Sequence, residues 1–344
     1  MDIFCHRFLA GPVRSTMASL RFSSHGLAMK AEGAALNKAD YKNKIRYGCV
    51  MIFSRIRISL LFGFICTYPV MTLATENGAD SYPSGAEGVL AGALPPPGFY
   101  GQTFYVNYHA SRFVDKHGDS MIPGFGLNLN GVVERLIYMT ETTVMNGQLG
   151  FYVAQPFFDL RIAQGGQRGD RKGISDTLAA VMVGWHNGEH HWAAAIEGVF
   201  PTGEYDRDRM VNLGKNYYTL RPIVVYSYSQ PDGWDLSTKL SYSFNTENRD
   251  TDYLSGQYFA GDFSLGYRFA PGWILALQGY AFKQLTSDES HGHKVGFRGQ
   301  SLALGPGIQY QGKGWSLEGK YTTETAVENR PQGNYTWLKL TLAF

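Results

Sequence analysis

The sequence contains little cysteine, few charges and no long apolar run in its body. Its three cysteines are Cys5, Cys49 and Cys66, so residues 67–344 can form neither a disulfide nor a thiolate zinc site. The body of the chain also lacks a run of about 20 apolar residues, which excludes an ordinary transmembrane helix there. Charged residues make up only 17%, while 41 glycines, 21 Phe and 22 Tyr are present. This composition favours an all-β chain.

The one strongly apolar run lies early and has the layout of a signal peptide. Arg55 and Arg57 supply a positive n-region, residues 58–66 an apolar h-region, and residues 72–74, Thr-Leu-Ala, a small-x-small cleavage site. The sequence therefore predicts a signal peptide over residues 51–74.

A signal peptide works at the start of a chain, so residues 1–50 are predicted to be a mis-assigned upstream extension. Residues 75–98 are expected to form a periplasmic leader rich in Pro and Gly. Residues 75–344 hold 21 basic and 26 acidic side chains, a net charge of −5. This acidic balance argues against a nucleic-acid partner.

From residue 99 onward, apolar residues recur at every second position, which is the period of a β-strand. In residues 235–245, for example, Leu236, Leu240 and Phe244 share one face while Lys239 lies on the other. About twelve such strands are predicted, at residues 99–110, 126–140, 148–161, 174–186, 191–200, 216–228, 234–245, 257–269, 273–285, 299–310, 315–325 and 334–344. Long polar loops alternate with short turns between them, as in an up-and-down sheet whose two ends face different environments.

The two faces of these strands differ in a way that favours a membrane barrel. One face carries Leu, Phe, Tyr, Trp and Gly, and the other carries Asp, Glu, Lys, Arg, Ser and Thr. A closed barrel of about twelve strands encloses more space than side chains need fill, so we expect the polar face to line the lumen. Trp273 and Trp315 lie beside short turns, where an interfacial girdle belongs. The expected fold is an all-β, transmembrane, up-and-down antiparallel β-barrel over residues 99–344.

Several segments resemble one known family over residues 85–344. They include "EGVLAGALPPPGFY", "SYSFNTENRDTDYLSGQYFAGDFSLGYRF" and "ENRPQGNYTWLKLTLAF". These look like the outer-membrane proteins grouped as the putative meta-pathway of phenol degradation family. The resemblance implies a Gram-negative outer-membrane barrel, often encoded near aromatic-compound catabolism, that acts as a channel or transporter for small hydrophobic or phenolic compounds. It implies no catalytic residue and no cofactor.

The candidates for solute contact in the lumen are chosen only from the face of the strand on which each residue is predicted to lie. Charged members can pair laterally and stiffen the wall, or they can select a solute, and both alternatives stay open. Tyr105, Gln278, Tyr280 and the Pro-rich segment at 95–97 are expected to narrow the pore. The full set of candidates is Tyr105, His109, Lys239, Asp262, Arg268, Gln278, Tyr280, Glu318 and Lys320. No catalytic, metal or cofactor residue is predicted.

Two other functions are alternatives. His109 and Ser111 resemble the His-x-Ser pair of the twelve-stranded outer-membrane phospholipase, whose pair faces lipid. Here Phe104, Val106 and Tyr108 are assigned to the lipid face, which turns His109 toward the lumen and argues against lipolysis. The chain is therefore expected not to be an enzyme. The second alternative is a structural or surface-binding barrel with a closed lumen.

The expected partners follow from the fold. They are outer-membrane lipid and lipopolysaccharide, small hydrophobic or aromatic solutes, and the barrel-assembly machinery. The last expectation rests on Phe344, because an aromatic final residue after alternating apolar positions resembles the signal that this machinery recognises.

Overall fold

The computed structural model describes residues 80–344 of the chain. The predicted upstream extension, the predicted signal peptide and residues 75–79 lie outside the described residues. Over residues 80–344 no helix has the length and hydrophobicity needed to cross a bilayer. The described chain is instead built from strands.

Sixteen strands follow one another in the described part of the chain. In chain order they are β1 (Gly98–Val114), β2 (Gly126–Val144), β3 (Gly147–Gln164), β4 (Gln167–Ile174), β5 (Thr177–Asn187), β6 (His190–Phe200), β7 (Thr219–Ser229), β8 (Trp234–Asn245), β9 (Tyr253–Leu254), β10 (Tyr258–Ala270), β11 (Trp273–Gln284), β12 (Asp288–Ser290), β13 (His293–Gly296), β14 (Gln300–Gly312), β15 (Trp315–Glu328) and β16 (Arg330–Ala343).

The long strands pair antiparallel, each with its neighbour, in one continuous ladder that closes on itself. β3 pairs with β5 through residues 148–154 and with β4 through residues 157–164, so β4 and β5 occupy one position that is interrupted at Ser175 and Asp176. Counted this way, twelve positions form the ring, which confirms the predicted antiparallel barrel. The short strands β9, β12 and β13 form a separate three-stranded sheet.

The C-terminal strand is the seam of this barrel. β16 pairs with β15 on one edge and with β1 on the other, from Tyr100 opposite Ala343 to Val114 opposite Arg330. The Phe344 amide donates a hydrogen bond to the Phe99 carbonyl oxygen at 3.0 Å. A closed ladder leaves no strand edge unpaired, which is the condition for a sheet in lipid.

The outer surface of most strands is apolar and ends in an aromatic belt. Leu, Ile, Val and Phe side chains are exposed along β5 to β8, β10, β11 and β14 to β16. At the end with short turns, Trp234 contacts Tyr267 with ring centroids 5.2 Å apart, and Tyr310 lies between Trp273 and Trp315 at 4.8 and 5.3 Å. An exposed apolar band with an aromatic girdle is the surface of an outer-membrane β-barrel.

Close strand packing generates a first prediction. A Cβ built on Gly305 of β14 would overlap the Tyr321 carbonyl oxygen of β15. We therefore expect Gly305→Ala to cost about 1–3 kcal/mol of stability, and to lower the thermal transition followed by circular dichroism. Gly126→Ala is the control, because its Cβ would meet nothing closer than Ala163 at 3.9 Å. Equal transitions for the two variants would contradict this packing.

Candidate functional site

The chain before β1 lies inside the barrel. Tyr82, Ala86 and Val89 are buried, and each packs against residues of the wall. Residues 80–97, called the plug segment below, belong to the region that the sequence analysis assigned to a periplasmic leader. The structure places this part of it in the lumen instead. The plug segment forms no strand, and its apolar residues do not recur at a regular interval. Its sequence pattern therefore did not indicate which residues of the barrel it contacts.

Two wall carboxylates hold the backbone of the plug segment. Asp262 of β10 accepts the amides of Gly85 and Glu87 at 3.0 and 2.9 Å, one on each oxygen. Glu318 of β15 accepts the amide of Val89 at 3.0 Å. Hydrogen bonds to ionised acceptors are stronger than neutral ones. These contacts therefore fix three alternate residues of the plug segment, Gly85, Glu87 and Val89, to β10 and β15.

The only acidic side chain in the middle of the plug segment, Glu87, meets a cluster of cations. Arg135 of β2 donates to Glu87 at 2.8 Å, and the Lys339 ammonium lies 3.9 Å away. The Lys320 ammonium donates to the Glu87 carbonyl oxygen at 2.6 Å. Burial alone would raise the pKa of the Glu87 carboxyl, but the charges of Arg135, Lys239 and Lys339 hold that pKa below its ordinary value. Glu87 is thus ionised and links Arg135 of β2 with Lys339 of β16.

The next residue of the plug segment, Gly88, also lies close to the wall. A Cβ built on Gly88 would overlap side-chain oxygens of Glu318 and Gln278. The plug backbone therefore lies against side chains of β11 and β15 at this residue.

A second set of buried charges supports the other end of the plug segment. Arg221 of β7 forms an ion pair with Glu197 of β6, and both side chains are fully enclosed. Arg221 also donates to Ser81 of the plug segment at 3.0 Å, and Ser81 lies 3.1 Å from the Thr219 hydroxyl. Buried ions are tolerated when they are paired in this way.

Two cavities lie in the lumen on either side of the plug segment. The first, of about 260 Å³, lies toward the long loops and is lined mainly by apolar side chains of β1, β2, β3 and β16. Val211 and Leu213, from the loop between β6 and β7, also line it and are buried. Asp176 accepts the amides of Gly203 and Lys215 at 3.0 and 2.8 Å, so this loop is held folded over the barrel.

The second cavity, of about 500 Å³, lies toward the short turns. Leu94, Pro95 and Pro96 of the plug segment line it, together with Tyr100 and Met182. Arg135 lines both cavities. The Arg135–Glu87 pair therefore stands at the boundary between the two spaces.

The structure places most predicted lumen residues on the inner face. Lys239, Asp262, Gln278, Tyr280, Glu318 and Lys320 are all buried there, and Arg268 is partly buried on the same face of β10. Asp262, Glu318 and Lys320 bind the plug segment directly. Tyr280 donates to Glu324, and Lys239 lies 5.3 Å from the centre of the Tyr82 ring. A role in solute contact remains a prediction for each of them.

The prediction was wrong for Tyr105 and His109, which are exposed on the outer face. On β1 the buried residues are Phe104, Val106 and Tyr108. The sequence-based assignment of alternate residues to the two faces of each strand assumed that apolar residues face lipid on every strand. β1 is inverted, because its apolar side chains line the first cavity.

Several residues of the site were missed by this assignment. They are the cations Arg135 and Arg330, which line the first cavity, the buried Arg221, and the apolar lining of β1 to β3. Arg135 did carry a signal, since it is a single charge between Val133 and Ile137 on an otherwise apolar face of β2. A single charge on an apolar face indicates that this face lines the lumen or that the charge has a binding partner.

Known families and solved structures include proteins that are similar to this chain. The family described as "Putative MetA-pathway of phenol degradation" matches residues 110–340. The COG4313 outer membrane channel from Pseudomonas putida F1 superposes with a TM-score of 0.68 at 19% identity, covering 77% of this chain and all of the other. The translocator domain of the autotransporter NalP from Neisseria meningitidis gives a TM-score of 0.44 at 10% identity, covering 74% of this chain and 91% of that domain. Among curated proteins, none matches the sequence significantly.

The placement of the plug segment can be tested by cross-linking. Ser81 and Thr219 have hydroxyl oxygens 3.1 Å apart, so Ser81→Cys with Thr219→Cys should form a disulfide on mild oxidation. The background should carry serine at the three native cysteines. Thr238, on the outer face of β8, provides the control pair Ser81→Cys with Thr238→Cys. Mass spectrometry of peptides should show the link for the first pair only, and equal linkage of both would contradict the placement.

Proposed function

Because the chain belongs to the putative MetA-pathway of phenol degradation family, and because its lumen holds two cavities separated by a plug segment, we propose that it is an outer-membrane channel. The solutes proposed are small hydrophobic or aromatic compounds that cross passively. The solute class is inferred from β1. The inner face of this strand is apolar, and it gives the first cavity an apolar wall.

Aromatic rings supply much of this wall. Tyr335 stacks on Tyr108 with centroids 4.1 Å apart, and its ring is nearly parallel to that of Trp337 at 6.2 Å. Phe104 meets Trp337 edge to face at 6.4 Å. Offset and edge-to-face geometries are those that aromatic rings prefer, so a planar solute can join this group.

Passage requires the plug segment to move, since its backbone fills the space between the cavities. A sugar porin offers a continuous polar path, whereas here the Arg135–Glu87 pair stands between the apolar cavity and the second one. The proposed channel is therefore gated by the plug segment.

Gating can be measured with the cross-linked variant. In liposomes that contain Ser81→Cys with Thr219→Cys, uptake of benzyl alcohol should be low when the disulfide is formed, because the plug segment is fixed. Reduction should restore wild-type uptake. Equal uptake in both states would exclude a gate at residues 80–97, and uptake no higher than in protein-free liposomes for the wild type would exclude the channel.

Assembly and surface contacts belong to the same proposal. Phe344 is exposed at the end of the seam, where the barrel-assembly machinery would reach it. The acidic loops between the strands would face lipopolysaccharide.

One observation favours a second candidate, an enzyme acting on membrane lipid. His109 lies on the outer face, and its Nδ1 atom is 2.7 Å from the Asn128 Oδ1 atom. A base oriented by an amide, two residues from a serine, has the composition of a hydrolase triad. Among residues 80–344, however, the Ser111 hydroxyl makes no hydrogen bond to His109, so the nucleophile is not activated in this state.

The enzyme candidate is tested with phospholipid in mixed micelles. It predicts that the wild type releases fatty acid, and that His109→Ala and Ser111→Ala each lower the rate about 10²–10⁴-fold. Asn107→Ala, on the same outer face, is the control and should keep the wild-type rate. Absence of release by the wild type, or equal rates in all variants, removes this candidate.

A further inference from the structure

The first cavity has an unequal supply of hydrogen-bonding groups. Within the described residues, six polar atoms of its lining are buried without a partner, and every one of them can donate a hydrogen bond. Four can only donate. The six are Tyr82 Oη, Ser84 Oγ, Arg135 Nε, Arg330 Nε, Arg330 Nη1 and Trp337 Nε1.

The carboxylates in the same lining are already occupied. Glu197 accepts from Arg221 and Tyr152. Asp176 accepts two loop amides, as described above. Asp80 accepts the Tyr82 amide at 2.7 Å and pairs with Arg330 at 2.7 Å. The cavity therefore offers free donors and no free carboxylate, and buried donors without partners are costly.

Arg330 is the strongest of these donors. Its side chain is 8% exposed and lies with its guanidinium carbon 3.9 Å from the centre of the Phe282 ring. Asp80 engages only the Nη2 atom, so the Nε and Nη1 atoms are left over. Guanidinium groups bind carboxylates through several N–H donors at once.

The rest of the lining can contact a nonpolar group on such a ligand. The aromatic wall formed by Phe104, Tyr108 and Trp337 stands in the same cavity, whose volume of about 260 Å³ admits a single small ring. A ligand that has acceptor oxygens at one end and a flat apolar ring at the other satisfies both parts.

We propose that the first cavity binds small aromatic monocarboxylates, with the Arg330 guanidinium holding the carboxylate. The proposal deepens the proposed channel function and rests on it, because it names the charge that the aromatic solute carries. Neutral phenols and alcohols would leave the guanidinium donors unpaired and would bind more weakly.

Calorimetry on the full chain in a nonionic detergent tests the ligand class. Benzoate should bind about tenfold or more tighter than benzyl alcohol, because only benzoate offers a charged acceptor. Acetate and hexanoate complete the set, and both should bind more weakly than benzoate because they lack the ring. Benzyl alcohol binding as tightly as benzoate overturns the carboxylate assignment, and hexanoate binding as tightly overturns the aromatic one.

Two substitutions separate an anion site from a structural contact. Arg330→Met should weaken benzoate binding about tenfold to a hundredfold. Asp80→Asn should strengthen it, because the guanidinium loses its internal competitor. If the Arg330–Asp80 pair only holds the plug segment, both substitutions loosen the same contact and change benzoate binding in the same direction, which would overturn the proposal.

A matched control and a second measurement keep the outcomes distinct. Arg161→Gln removes a cation from the exposed outer face of β3 and should leave benzoate binding unchanged. Uptake of neutral benzyl alcohol by liposomes reports on the channel alone. Benzoate binding without uptake of any solute would reject the proposed channel and keep the site, whereas uptake without preferential benzoate binding would reject the site and keep the channel.

Discussion

Two buried carboxylates, Asp262 and Glu318, accept backbone amides from a segment that is not part of the wall, and the rest of the lumen depends on this contact. A twelve-stranded barrel has an interior too wide for its own side chains to fill. The plug segment occupies part of it and donates backbone amides to two buried acidic residues of the wall. The lysines around Glu87 then balance the charge.

This arrangement divides the barrel into sectors with different chemistry. β8, β10 and β15 turn mainly polar side chains inward, and side chains of β10 and β15 bind the plug segment. β1, and much of β2 and β3, turn apolar side chains inward and line the cavity that the plug segment leaves free. The plug segment, residues 80–97, is anchored to the polar sector and bounds the cavity beside the apolar sector. Solute passage, solute selectivity and closure of the channel are thus linked through this segment.

The fold was largely predictable from the sequence, because period-2 alternation and the order of long and short connections are local features. All twelve ring positions, including the terminal seam, follow from them. The lumen was predictable only where a strand is polar on one face. The rule failed at Tyr105 and His109, because an apolar face can pack against an interior cavity as well as against lipid. The plug segment was not predictable as such, since its partners, Asp262 and Glu318, lie more than 170 residues away.

The central claim is that the plug segment is held inside the folded barrel through its backbone. Hydrogen–deuterium exchange of the membrane-extracted protein measures this directly at the amides of Gly85, Glu87 and Val89. The account predicts that these amides exchange slowly, as amides of the strands do, and that Asp262→Ala accelerates the exchange of Gly85 and Glu87 more than that of Val89. Exchange in the wild type as fast as in an unstructured peptide would contradict the account.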